Sequence, residues 1–435
     1  MSHPRDYALC RLDAEELPGF RANTLRAVKL YEQGARDADF SEQLYLGTVK
    51  HLLHLQWLIQ HYSGRTLKQI DLPVQKVLAL ALYQIRFLHR VPHAIAVDEA
   101  VEQTRRFKLG KADAFVNAVL RKATREQPTG LPTEATPTDY AQHVLSMPAD
   151  TFAQLAAAHG GFSALQISKH ALVESPLLLR LFPGVTIDQL RSAAPPAVKI
   201  LGHTQPGFAV AEDARRNQIA EWHAAKLAQP QDPTAAEVVD HMQLEPGQSV
   251  LDRCCGVGTK TIQMASKLPG AMNIWAIDNA ERRTTVLEES VAKLQLTGVR
   301  VHCSATIPTG GDTPSLFDRA LLDVPCSNSG VLARRAEAKY RQSKVALGRL
   351  SELQTKLLAD TLKRIRPGGI LVYSTCSIWP QENEHVVQAV ISEGQPRCEL
   401  LEQRVTLPAG IDVAGHVVPA QYRDGGYFAV IRRVE

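Results

Sequence analysis

The sequence predicts a multidomain chain: an all-α bundle, a small α/β subdomain, and a Rossmann-like α/β domain built on a parallel sheet. Three observations carry this. Residues 1–127 place apolar side chains at helical spacing almost throughout. Residues 128–139 hold three prolines and four threonines with few apolar residues, the composition of a linker. From residue 231 to 435, short apolar runs alternate with amphipathic stretches, the pattern of strands joined by crossover helices. Residues 140–230 lie between and read as the small α/β subdomain.

The 435 residues are enough for two or three domains with sizeable cores. No run is long and apolar enough to predict a transmembrane helix. The N-terminus lacks the apolar stretch of a signal peptide, so a cytoplasmic protein with reduced thiols is expected. The seven cysteines include no CxxC pair, which argues against a zinc ribbon or redox dithiol, and no metal is expected. Net charge is only +4, so any nucleic-acid footprint must be local. No sequence feature calls for a second copy, and a monomer is the expectation.

Within the first segment, residues 22–31 carry apolar side chains at 25, 28 and 30 among charges. Residues 43–60 form one long apolar stripe, expected as a single helix. Asp71-Leu72-Pro73 starts a helix over 74–88, apolar enough to be central to a bundle. Pro92 ends one stretch, a helix follows over 94–107, and Phe115, Val116, Val119 and Leu120 give a last apolar face. Between Arg86 and Arg125, nine Lys or Arg face four Asp or Glu, a charge balance that suits phosphate contacts but equally a solvated helical surface. The segments Ile95-Ala96-Val97-Asp98-Glu99-Ala100-Val101 and Phe115-Val116-Asn117-Ala118-Val119-Leu120-Arg121 resemble the signature of NusB-type domains. That resemblance implies a helical bundle that binds structured RNA.

The subdomain offers a strand at 177–182 and a helix opening at 187–192. Arg180, on that strand, is a candidate RNA contact. In the last segment, strands are expected at 249–251, 274–277, 299–301, 319–322 and 370–373. Helices are expected at 235–242, 260–268, 281–294 and 351–365. Ligands of such sheets sit beyond the carboxyl ends of the strands.

The loop Asp252-Arg253-Cys254-Cys255-Gly256-Val257-Gly258-Thr259-Lys260-Thr261 joins the first of these strands to its helix. Its glycines let backbone amides approach a ligand at a helix N-terminus. Thr259 stands where a Walker A loop needs glycine, and Thr261 where a dinucleotide fingerprint needs its third. A plain tight turn remains the alternative. Asp278 ends the next strand, twenty residues past Gly258. A carboxylate there can accept both ribose hydroxyls of NAD or S-adenosylmethionine, or simply cap the helix that follows.

Two strand ends carry a cysteine beside hydroxyl residues: Asp323-Val324-Pro325-Cys326-Ser327 and Ser374-Thr375-Cys376-Ser377. Hydride transfer has no use for them. Methylation at C5 of a pyrimidine does, because a thiolate adding to C6 turns the ring into an enamine-like nucleophile. Such a thiolate needs a cationic neighbour, which Lys260 can supply. Asp323 can hydrogen-bond the base at N3 and its amino group.

Together with Gln231-Asp232, Gly330 and Gly425-Gly426-Tyr427-Phe428-Ala429, these segments resemble the RNA cytosine-C5 methyltransferases of the RsmB type. The resemblance implies that Cys376 is the nucleophile and that Cys326 assists product release. It also implies that Lys260 and Asp323 orient the reacting groups. Cys254, Cys255, Gly256, Val257, Gly258, Thr259, Lys260 and Asp278, with Asp323, would hold S-adenosylmethionine. The substrate it implies is a cytidine in small-subunit ribosomal RNA. The chain departs from the family's CAAPGGK-like loop, and Ala305 falls where the family has an acid on the adenine side, so weaker cofactor affinity is expected. After the first cysteine loop, Arg334, Arg335, Lys339, Arg341, Lys344 and Arg349 surround a single acid, Glu337; Arg334, Arg335 and Lys339 are read as RNA-backbone contacts. Two other readings stay open. One is an RNA-binding assembly factor with lost or weakened methyl transfer, favoured by the altered loop. The other is a Rossmann oxidoreductase, opposed by both cysteine loops.

Overall fold

A computed structural model describes residues 3–19 and 34–435. The helix expected over 22–31 lies outside the described residues. The chain divides into two compact units: Met1–Leu172 with Arg335–Arg341, and Val173–Arg334 with Gln342–Glu435.

The first unit is helical. Its helices are α1 (Pro4–Ala14), α2 (Ala35–Lys50), α3 (Leu52–Ser63), α4 (Leu72–Phe87), α5 (His93–Arg106), α6 (Asp113–Arg125), α7 (Pro137–His143), α8 (Ala149–His159) and α9 (Gly161–His170). The stripe expected as one helix over 43–60 breaks at His51, whose ψ of 15° leaves the helical region. The His51 ring stacks on Phe87 with centroids 4.0 Å apart. The break turns Leu44 and Val49 on one side, and Leu52, Leu55 and Leu58 on the other, into one interior. α4 is buried at every position from Val74 to Ile85, the central place in a bundle expected of it, with Gln75, Lys76 and Gln84 buried among its apolar residues. Its Lys76 is fully buried against Asp13 at 2.5 Å. Residues 140–172, expected in the α/β subdomain, instead form α7–α9 of this unit. Ala336 sits in the same interior and Tyr340 packs against it, which places 335–341 here.

The second unit begins with a four-stranded antiparallel sheet, ordered 199–202, 208–212, 177–181, 228–230. Its elements are β1 (Leu177–Leu181), α10 (Ile187–Ala193), β2 (Lys199–Gly202), β3 (Phe208–Glu212), α11 (Arg216–Ala224) and β4 (Ala228–Pro230). The main sheet follows. Its elements are α12 (Pro233–Asp240), β5 (Ser249–Arg253), α13 (Thr259–Lys267), β6 (Asn273–Asp278), α14 (Glu281–Lys293), β7 (Val299–Cys303), β8 (Phe317–Asp323), α15 (Lys344–Leu362), β9 (Ile365–Thr375), α16 (Glu384–Glu393), β10 (Cys398–Thr406) and β11 (Gly426–Arg433). The seven strands run in the order β10-β11-β9-β8-β5-β6-β7.

β5 through β9 pair parallel, as expected, but β11 lies antiparallel between β9 and β10 and makes the sheet mixed. Consecutive apolar residues in the central strands bury opposite faces: Leu322 and Tyr373 in one core, Leu321 and Val372 in the other. Burying each such side chain contributes about 1.5–3 kcal/mol, so two-sided burial pins the strand register and the loops leaving it. The chain moves outward from β5 to β6 and then returns to β8 on its other flank. That reversal opens a crevice at the carboxyl ends of β5 and β8.

Candidate active site

A cavity of about 730 Å³ lies at these strand ends. It is lined by the loop after β5, by Asp278 at the end of β6, by Asp323 to Cys326 after β8 and by Thr375 and Cys376 after β9. Its size suits a nucleoside-bearing ligand.

The two cysteine loops are locked together. Val324 N–H donates to the Ser374 carbonyl at 3.1 Å, and Gly330 N–H to the Cys376 carbonyl at 2.9 Å. Gly330 must be glycine, since a Cβ there would stand 2.4 Å from the Gly425 oxygen. The Cys326 and Cys376 sulfurs end 3.0 Å apart as free thiols. The neighbouring Cys376 sulfur, and then burial, push the Cys326 thiol well above its usual range. It is therefore a proton-bearing group that can donate to Cys376.

Lys260, in the first turn of α13, reaches Asp323 at 2.6 Å. Burial pulls the ammonium down, but the adjoining Asp323 carboxylate outweighs this and Cys376 adds to it, so Lys260 is held protonated. A fixed cation thus faces the two sulfurs and the acid that ends β8.

Beneath both loops lies a residue the sequence reading missed. Glu382 is fully buried. Its carboxylate accepts from Ser327 N–H at 2.9 Å, from the hydroxyls of Ser327 and Ser377, and from Gln354 Nε2 at 2.9 Å. One carboxylate therefore ties the residue after each cysteine to α15. Asn383 extends the clamp, accepting from Thr375 Oγ1 at 2.7 Å and donating to the Ser377 carbonyl at 3.0 Å. Asn328, also unanticipated, lines the cavity beside Cys376.

On the other side, Asp278 accepts from Gly256 N–H at 3.0 Å and from Ala280 N–H at 2.9 Å, and pairs with Arg283 at 2.8 Å. The N-cap of α14 is Ala280, without a side-chain cap, so Asp278 does not cap that helix; it braces the turn ahead of it and lines the cavity. Gly258 caps α13 with φ +84°, and a Cβ there would meet Leu287 Cδ1 at 2.1 Å. Gly258→Ala should therefore destabilise the unit by about 2–3 kcal/mol through strain and overpacking. Denaturant titration checks this, and a loss under about 0.5 kcal/mol would count against it. Burial pushes the Cys254 thiol up to about 12 and raises Cys255 as well, so both keep their protons at neutral pH, and both line the cavity. Val257 and Thr259, from the same loop, line the cavity. Asp252 is buried, which pushes it up to about 7, and its Oδ1 has no hydrogen-bond partner among the described residues. Ala305 lines the cavity and brings no carboxylate to it.

The expected RNA contacts fare differently. Arg180 is buried, its guanidinium bonded to Gln231 and Gln229 at 2.7 Å each, and burial pulls it down to about 10. It braces the start of α12 rather than facing solvent. Lys339 is fully buried in the first unit, where its Nζ donates to the Lys50 carbonyl at 2.6 Å. A lysine committed to a backbone carbonyl in a core cannot meet phosphate. Arg334 pairs with Asp424 at 2.7 Å and lies 3.8 Å from Asp232. Arg335 is exposed.

Residues 239–432 match the family described as 16S rRNA methyltransferase RsmB/F, and residues 8–125 match the NusB family. The Vibrio cholerae protein named ribosomal RNA small subunit methyltransferase B is 28% identical over 417 residues, covering 92% of this chain and 90% of that protein. The crystal structure of PH0851 superposes with a TM-score of 0.72 at 18% identity, covering 92% of this chain and 91% of the other. A methyltransferase homolog from Pyrococcus horikoshii superposes at 0.54 with 23% identity, covering 67% and 97%. These two structures share the fold. By its matched segments, the chain is similar to the RsmB/F methyltransferases over 239–432 and to the NusB family over 8–125.

Proposed function

We propose that the protein transfers a methyl group from S-adenosylmethionine to C5 of a cytidine in small-subunit ribosomal RNA, through a covalent adduct on Cys376. The observation that carries the reading is the pair of free thiols 3.0 Å apart, set beside the Lys260–Asp323 pair in one cavity.

The cavity suits the cofactor's chemistry. The N-terminal turn of α13 favours a carboxylate, the Asp278 carboxylate suits ribose hydroxyls, and the unpartnered Asp252 oxygen suits an ammonium. When bound, S-adenosylmethionine supplies an electrophilic methyl group. The protein's residues do the rest. Cys376 bonds to C6 of the base, and the C5–C6 π electrons become available for attack from C5. Asp323, held by Lys260, accepts from the amino group of the base and, once N3 takes up a proton from solvent as charge builds in the ring, from N3–H as well. Loss of the C5 proton to water re-forms the double bond and expels the Cys376 sulfur, which takes the proton of the adjacent Cys326 thiol, restored afterwards from solvent. Reaching C6 requires an extruded base, as single-stranded RNA recognition allows.

The test combines calorimetry with S-adenosylmethionine and bisulfite mapping of small-subunit RNA incubated with the two. Binding and one new 5-methylcytidine are expected. RNA binding with no heat at millimolar cofactor and no methylated base would leave the assembly-factor reading instead.

A further inference from the structure

The turn after Cys326 holds a side chain whose contacts the reaction above does not use. Asn328 has a φ of +60°, left-handed backbone that asparagine tolerates better than most residues. The turn is closed by Val331 N–H on the Asn328 carbonyl at 3.1 Å. Its side chain spans the two cysteines: Nδ2 donates to the Cys326 carbonyl at 3.2 Å, and Oδ1 accepts from the Cys376 thiol at 3.2 Å. The first bond sets the orientation, because a flipped amide would point oxygen at oxygen.

We propose that Asn328 is a residue of the catalytic centre whose amide oxygen holds Cys376 as a protonated thiol until RNA arrives. The inference rests on the reading of Cys376 as the nucleophile. An amide oxygen can only accept, so it stabilises S–H and opposes S⁻. The other groups nearby pull in both directions. Lys260 from α13 and the donating Cys326 thiol favour the thiolate. Asp323, already paired with Lys260, Glu382, bonded to Ser327, Ser377 and Gln354, and the buried Asp252 oppose it. Asp424, ahead of β11, is paired with Arg334. Asn328 is the neutral member of this set and acts through one bond to the sulfur itself. Thiolates oxidise far more readily than thiols, so the amide protects a nucleophile that rests against a second sulfur.

The test follows alkylation of Cys376 by iodoacetamide across neutral to alkaline pH in the full-length, RNA-free protein, with each cysteine resolved by peptide mass spectrometry. Asn328→Gly removes the amide and keeps the left-handed turn; it should lower the midpoint for Cys376 by about half a pH unit. Asn328→Asp sets a carboxylate against the sulfur and should raise it by about one unit. A general loosening of the loop would lift the plateau without moving the midpoint. An unmoved midpoint in Asn328→Gly, or a lowered one in Asn328→Asp, overturns the proposal. Because this readout needs no RNA, it is independent of adduct trapping, through which the nucleophile assignment stands or fails.

Discussion

Replacing Cys326 with alanine should leave the protein covalently joined to its RNA. The two sulfurs lie 3.0 Å apart, so whatever base is bonded to one is within reach of the other. Cys326 is the sulfur pushed well up, and it keeps its proton through the neutral range. A protonated thiol does not attack, but it supports departure of the sulfur beside it. Without it the methylated base stays on Cys376, and a denaturation-resistant RNA–protein band should accumulate as turnover stops. Cys376→Ala should lower methyl transfer by at least about a thousandfold, the usual scale for losing a covalent nucleophile. It should form no such band. The Cys326→Ala, Cys376→Ala double variant is decisive: a band that persists there assigns the nucleophile to another residue.

The second large effect is on stability. Glu382→Ala removes the acceptor for Ser327 N–H, the Ser327 and Ser377 hydroxyls and Gln354 Nε2, all in a fully buried site. Each buried donor left without a partner costs about 1–3 kcal/mol, so the variant should lose about 4 kcal/mol or more. Hydrogen exchange at the Ser327 and Ile378 amides reports this locally, which matters in a chain of two units where one global unfolding energy is poorly defined. Glu382→Gln keeps the shape and part of the accepting capacity and should lose about half as much. A loss below about 1 kcal/mol in the alanine variant would show that the serines bond adequately elsewhere.

The parts of this architecture that were legible in the sequence are those written locally. Asp323 to Cys326 and Thr375 to Cys376 follow apolar runs directly, so strand ends and chemistry could be read together. Glu382 could not. Its partners are separated from it by 55, 28 and 5 positions, and nothing local distinguishes a buried carboxylate in Gln381-Glu382-Asn383 from a solvated one. Asn328 is hidden for the same reason, since its contact with Cys376 is 48 positions away. At Lys339 charge density does not mean exposure, since its apolar neighbours Ala336 and Ala338 are buried with it. The antiparallel insertion of β11 beside β9 is a choice of pairing partner, which periodicity within a strand does not encode.

The helical unit recruits its Ala336, Tyr340 and the Lys339 bond to Lys50 from a stretch of chain that lies more than 160 positions past Leu172. A gene fragment ending at Leu172 would encode a bundle missing part of its own filling. The two family segments are thus unsuited to exchange as cassettes: a foreign NusB-type module grafted onto this methyltransferase would inherit a plug shaped for another bundle, and any shuffled lineage would have had to carry that short wedge along with the helices it completes.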